Sequence, residues 1–167
     1  MPTNKRILLS ELPTGQLGEE HFSQDEVSTE APGEGEVLVK TLILSQDAAN
    51  RAWMQGATYR SALSTGQVMS SGGIGEVIES NSEDFSVGQI VTGDLGWQQY
   101  ATLAARQLSH APVHGGPLSH GLSLLGVAGL TAYHGLINVP AIHAGEVLLV
   151  SAAGGSVGSL VGQIGRI

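Results

Sequence analysis

The residues best suited to chemistry stand near the end of the chain, in "VLLVSAAGGSVGSLVGQIG", Val147 to Gly165. A phosphate group needs several converging N–H donors and no side chains in the way. A strand-to-helix turn supplies both, because the free N–H groups at a helix N-terminus point outward and the helix dipole favours negative charge there. The spacing Ala153-x-Gly155-x-x-Gly158 is the dinucleotide-binding fingerprint with Ala at its first position. Gly155 would let the backbone approach a pyrophosphate, and Gly158 would let the helix pack on the strand. Gly162 falls on the same helical face as Gly158. A plain tight turn accounts for the same glycines without any ligand. Context favours the chemical reading, since the run "VLLVS" precedes the turn directly and no proline follows it. The residue that chooses between NAD and NADP is expected about 20 positions further on, past Ile167.

Other chemistries find less support. The chain has no Cys, so thiolate metal sites and disulfides are excluded. His110, His114 and His120 are loosely spaced, with Pro112, Gly115, Gly116 and Pro117 between them and no carboxylate nearby. Zinc sites prefer tight pairs on defined turns or helices, so these read as surface histidines. His134 and His143 read as helix-end or surface residues. There is no G-x-x-x-x-G-K-[ST] loop. A formal net charge of −8, with eight of the fifteen acids between Glu11 and Glu36, argues against a nucleic-acid backbone as partner. No apolar run reaches the ~18 residues of a membrane span. The opening "MPTNKRILLSELPTG" lacks the apolar core of a signal peptide. A cytoplasmic location fits a chain without Cys.

The elements that must position the turn can be read from periodicity. Residues 1–36 are polar and turn-rich, with an opening strand around Arg6–Ser10. Val37–Ser45 reads as a strand buried on both faces, and "QDAANRAWMQG" as a short helical turn ended by Gly56. Val68 to Ser80 is a strand region broken by glycines, which suggest bulges or close backbone approach. "FSVGQIVTGD" and "GWQQYATLAA" each hold a short strand, and "SHAPVHGGPLSHG" is punctuation. Short strands at such intervals indicate a β barrel or sandwich. Leu122, Leu125, Gly126, Gly129, Leu130, Tyr133 and Leu136 fall at helical spacing. Glu146–Ser151 then reads as a buried parallel strand. Between Gln107 and Gly165 the only formal charge is Glu146. Such a stretch is normally covered by other structure, so the sequence looks like the first half of something larger.

The motifs "PGEGEVLVKTLILSQD", "GQVMSSGGIGEVIES", "VGQIVTG", "GWQQYATL", "LGVAGLTAYHGL" and "AGEVLLVSAAGGSVGSLVGQIGRI" occur in this order. In that order the chain resembles the N-terminal half of the zinc-free medium-chain dehydrogenase/reductases, in the prostaglandin reductase and alkenal (curcumin-type) double-bond reductase branch. The resemblance implies an α/β fold: a GroES-like β-barrel domain over 1–118, then the first strand and helix of an incomplete Rossmann domain, a doubly wound parallel sheet, over 119–167. It implies NADPH as cofactor, with NADH left open, and hydride addition to the β-carbon of an α,β-unsaturated ketone or aldehyde. The turn Gly155-Ser156-Val157-Gly158, with Ala153 before it, would contact the cofactor. Thr131 would lie near its nicotinamide and phosphates, and Trp97 and Gln98 would line the substrate cleft. No catalytic residue can be named. Homodimers are common in the family, but nothing in these residues specifies an interface.

The chain departs from the family at one notable place. The common "SLDPYMRGRM" reads "SQDAANRAWM" here, so Ala49 stands at the Tyr position while Asp47 and Arg51 are retained. No role of that Tyr carries over, and a wider substrate pocket is expected. Where zinc-dependent relatives have Gly-His-Glu, the chain has Ser70-Ser71-Gly72, so catalytic zinc of that type is not expected. Two alternatives remain open: a quinone oxidoreductase on the same scaffold, and a non-catalytic binding or oligomerisation module.

Overall fold

Val37, Leu38 and Val39 form the most deeply buried run of the chain, and the principal sheet is built around them. The structure is a computed structural model that describes residues 1–112 and 115–167. It divides into two compact units, Met1–Ala111 and Pro112–Ile167.

The first unit carries seven strands: β1 (Thr3–Leu9), β2 (Phe22–Ser28), β3 (Glu36–Leu44), β4 (Gly72–Ser80), β5 (Ile90–Asp94), β6 (Tyr100–Ala104) and β7 (Ser109–His110). Five of them form one antiparallel sheet in the order β6-β3-β4-β5-β7, and β1 pairs with β2. Backbone bonds thread β1 between two later segments. Ile7 N–H donates to the Trp97 carbonyl at 2.8 Å, and Met69 N–H donates to the Ile7 carbonyl at 2.8 Å. Val37 and Val39 join Val77, Val91, Leu95 and Ala101 in one core cluster. Burying each such side chain is worth roughly 1.5–3 kcal/mol. The burial expected on both faces of β3 holds only at its start, because Lys40 is exposed and Leu42 half-exposed. The glycines of β4 reflect close approach. A Cβ on Gly75 would stand 2.6 Å from the Lys40 carbonyl oxygen, so a larger residue would push β4 off β3.

A second cluster gathers Leu9, Trp53, Met54, Leu63 and Met69, with Phe22, Ala49 and Trp97 packed against it. Trp53 and Met54 come from α1 (Ala48–Trp53) and its C-terminal cap. The helix begins where it does because Asp47 accepts from Ala49 N–H at 2.7 Å while Asn50 accepts from Asp47 N–H at 2.8 Å, a reciprocal cap. β2 was not expected from its polar sequence, FSQDEVS. Cross-strand pairing explains it: Arg6 Nε donates to Asp25 at 2.9 Å, and Lys5 meets Glu26 at 3.2 Å.

The second unit contains α2 (Val127–Tyr133), which runs into a wider turn over His134–Asn138, and α3 (Ser156–Ile164) packed against α2. Two expectations fail here. The helix expected from Leu122 begins only at Val127, because Gly126 is extended (φ −99°, ψ −159°) and caps it without a side chain. Its inward residues are Gly129, Ala132 and Leu136, whereas Leu125, Leu130 and Tyr133 are exposed. The buried strand expected over Glu146–Ser151 does not form, and Val147 and Leu149 are 97% and 95% exposed. A strand exists only beside a partner that takes up its N–H and C=O groups. No such partner flanks this segment among the described residues.

Candidate functional site

The glycine turn opens α3 without the strand that the fingerprint expects before it. Ala152 adopts φ +49°, a left-handed conformation uncommon for a residue with a Cβ. It reverses the chain so that its carbonyl accepts from Gly155 N–H at 2.9 Å. Gly155, at φ −79° and ψ 171°, is the N-cap of α3. The N–H groups of Ser156, Val157 and Gly158 have no hydrogen-bond acceptor among the described residues. They open on a cleft of about 470 Å³ lined by residues 149–152 together with Gly155, Ser156, Val157, Gly158 and Val161. No lining residue carries a charge, so the donors are backbone N–H groups and the hydroxyls of Ser151 and Ser156.

Both glycines keep Cβ atoms out of the turn, but in different ways. A Cβ on Gly155 would touch only the Ala152 oxygen, at 3.2 Å. On Gly158 it would stand 3.0 Å from the Ala152 carbonyl carbon and from the Ala153 Cα. Gly158 therefore packs α3 on the turn itself, not on a strand as its position in the motif suggested. Ala153 and Thr131 do not line this cleft; both are exposed, Thr131 in the middle of α2.

Trp97 and Gln98 line a different cleft, inside the first unit. It also holds about 470 Å³ and includes Lys5, Ile7, Gln24, Thr41, Gln46 and Gln99. Trp97 stacks on Phe22, with ring centroids 5.5 Å apart. The Gln98 amide is committed internally: its nitrogen donates to the Leu95 carbonyl at 2.8 Å, and its oxygen accepts from Asn4 Nδ2 at 3.1 Å. Gln98 thus shapes the cleft wall with its amide engaged at both its nitrogen and its oxygen.

Sequence reasoning missed a polar cluster around Asp94. Its carboxylate accepts from Ser70 Oγ at 2.6 and 2.8 Å, from Ser71 N–H at 3.0 Å and from Arg60 Nη2 at 2.6 Å. The Arg60 guanidinium also lies 4.4 Å from the centroid of a Trp53 ring. Residues 53, 60, 70 and 94 are too far apart in the chain for spacing to reveal this. The Ser70-Ser71 pair was its only sequence trace. Among the described residues no three His, Cys, Asp or Glu side chains gather as a metal site. His110 stands edge-on to Phe85 at 5.0 Å, and His114 lies outside the described residues.

Residues 5–111 match the family model for the N-terminal domain of oxidoreductases. The chain is 38% identical over 165 residues to the NADPH-dependent curcumin reductase of Escherichia coli, covering 98% of this chain and 48% of that protein. The chain belongs to the medium-chain dehydrogenase/reductase superfamily. Within this superfamily its similarity lies with the double-bond reductases. The 2-alkenal reductase (NADP(+)-dependent) of Nicotiana tabacum is 33% identical, across 99% of this chain and 50% of its own length. The crystal structure of CurA in complex with NADPH from Vibrio vulnificus superposes with a TM-score of 0.86 at 33% identity, covering 97% of this chain and 48% of that one. The chain therefore has the N-terminal fold of medium-chain reductases, a GroES-like β unit followed by the start of a Rossmann unit. It spans about half the length of the curated relatives it matches.

Proposed function

We propose that the protein is an NADPH-dependent, metal-independent reductase of the C=C bond in α,β-unsaturated ketones or aldehydes. In this reading residues 1–118 form the GroES-like domain and residues 119–167 begin the dinucleotide-binding domain. The observation that carries it is the set of unpaired N–H groups of Ser156, Val157 and Gly158 facing an uncharged cleft. An anion fits there: the donors converge at a helix N-terminus, and no carboxylate opposes it. Kinship with the curcumin and alkenal reductases supports the choice of reaction.

The Gly155 to Gly158 turn, with Ala153 before it, would hold the pyrophosphate of NADPH, and Thr131 would approach its nicotinamide side. Bound NADPH would supply the hydride that reaches the substrate β-carbon. Trp97 would offer an apolar wall to a flat conjugated substrate. Gln98, tied to Leu95 and Asn4, would keep that wall in place. Ala49 leaves room on the α1 side. Steady-state assays of the protein with enones, alkenals and quinones test the reading. NADPH oxidation with enones or alkenals is expected. Turnover of quinones alone would replace it with a quinone oxidoreductase.

A further inference from the structure

Trp97, Gln98 and Gln99 line one wall of the cleft in the first unit, and strand β1 holds that wall along its length. Ile7 N–H donates to the Trp97 carbonyl at 2.8 Å, and Gln99 N–H donates to the Lys5 carbonyl at 3.1 Å, with Arg6 opposite Gln98 between them. At the next residue of β1 a side chain takes over from the backbone. Asn4 Nδ2 donates to the Tyr100 carbonyl at 2.8 Å, and Asn4 Oδ1 accepts from Tyr100 N–H at 3.0 Å. The amide thus meets both backbone groups of Tyr100, as a neighbouring strand would. The same nitrogen also donates to Gln98 Oε1 at 3.1 Å. A carboxamide offers two N–H donors and an oxygen acceptor, and Asn4 uses all of them on this one segment.

Asn4 is 6% exposed and is not itself a lining residue of the cleft. Burying a polar amide costs free energy unless its partners are met. No other side chain of this length supplies two donors and an acceptor: an ionised Asp has no donor, Leu has neither, and Ser has a single O–H. We propose that Asn4 is a positioning residue for the substrate cleft. It fixes the Gln98 amide and the backbone over residues 97–100, and so sets the wall that receives a conjugated carbonyl compound. This rests on the reading of that cleft as the substrate side. Without the Asn4 amide, the N–H and carbonyl of Tyr100 and Gln98 Oε1 lose a partner at a buried position. The wall then shifts where Trp97 and Gln99 line the cleft, and small displacements of a positioning wall are costly to ligand placement. The backbone bonds from Ile7 and to Lys5 remain, so the strand itself stays in place.

The test measures steady-state NADPH oxidation by the full chain with 4-phenyl-3-buten-2-one. Asn4→Ala is expected to raise KM for the enone about tenfold and to leave kcat within about twofold, the pattern of a lost binding contribution. Asn4→Ser, which keeps one donor, is expected to fall between, and it reads the same question if Asn4→Ala does not fold. Thr29→Val is the control. Thr29 is 8% exposed at the same end of the β1–β2 pair, and its hydroxyl donates to the Pro2 carbonyl at 3.1 Å, a bond that does not involve residues 97–100. It is expected to lower the melting temperature with KM unchanged. Unchanged KM in the Asn4 variants that fold, or an equal rise in Thr29→Val, overturns the proposal and leaves the proposed function standing. Loss of folding in both Asn4 variants makes the residue purely structural and overturns it as well. Absence of enone-dependent NADPH oxidation by the wild type overturns both readings.

Discussion

The two units end in opposite states, and the one with the more apolar, nearly uncharged sequence is the one left more exposed. In Met1–Ala111, Val37, Val39, Val77 and Val91 are fully buried, and their backbones are paired in the sheet. In Pro112–Ile167, Val127, Leu130, Val139, Val147 and Leu149 remain 67–97% exposed. Composition alone would predict the reverse. The first unit contains the partners its strands need, and the second offers helices and a turn with apolar surface left over. Hydrophobic sequence becomes core only where backbone pairing brings a second surface to cover it. The second unit keeps its donors free for the same reason: nothing among its described residues bonds the first turn of α3.

The largest expected effect concerns that free turn. The chain alone should bind NADPH weaker by several orders of magnitude than relatives of twice its length. It offers backbone donors and no charged side chain around the turn, and each absent charge-assisted bond is worth roughly 1.5–3 kcal/mol. Calorimetry decides this, and micromolar binding by a clean monomer would mean the pocket is complete within these residues. Gly155→Val should abolish what binding there is and leave the sheet unit folded. The backbone there is not left-handed (φ −79°), so the effect must come from side-chain bulk in the phosphate space. Unchanged affinity would make the turn purely structural.

Hydrogen exchange should show the contrast directly. Amides of β3 and β4 are expected to be protected at least ~1,000-fold more than those of α2 and α3, because local opening costs least where little is buried. Similar protection in both units would erase the distinction drawn above. Single substitutions sharpen it further. Leu38→Ala should cost about 3 kcal/mol in denaturant unfolding. Leu149→Ser should change stability by less than about 0.5 kcal/mol and reduce any self-association seen by light scattering.

The smallest effect belongs to the β1–β2 hairpin. The hydrogen bond from Arg6 holds the Asp25 carboxyl below its usual range, with direct charge attraction adding to it. A lowered folded pKa means that the stabilisation is complete above the unfolded value of about 3.9 and is lost as pH falls through the folded one. The melting temperature should therefore hold steady from pH 7 to 5 and decline below about pH 4. Asp25→Asn should make that part of the decline shallower, and an identical decline in the variant would remove Asp25 from the account.

The sequence by itself determined what depends on neighbours within a few residues. "QDAANRAWMQG" marks the short helix α1, the Val37–Val39 run marks the buried part of β3, and Gly155 to Gly158 mark the start of α3. Such signals are legible because cap, alternation and fingerprint act over one turn or one strand. The tertiary structure alone decided what depends on distant partners. It made a strand of polar FSQDEVS by setting Asp25 and Glu26 against Arg6 and Lys5. It tied the Gln98 amide to Asn4, 94 residues away. It gathered Arg60, Ser70 and Ser71 on Asp94, and it left Val147 and Leu149 without a neighbour strand. Hydrogen-bond partners and covering surfaces are set by where the chain returns, and no local spacing encodes that.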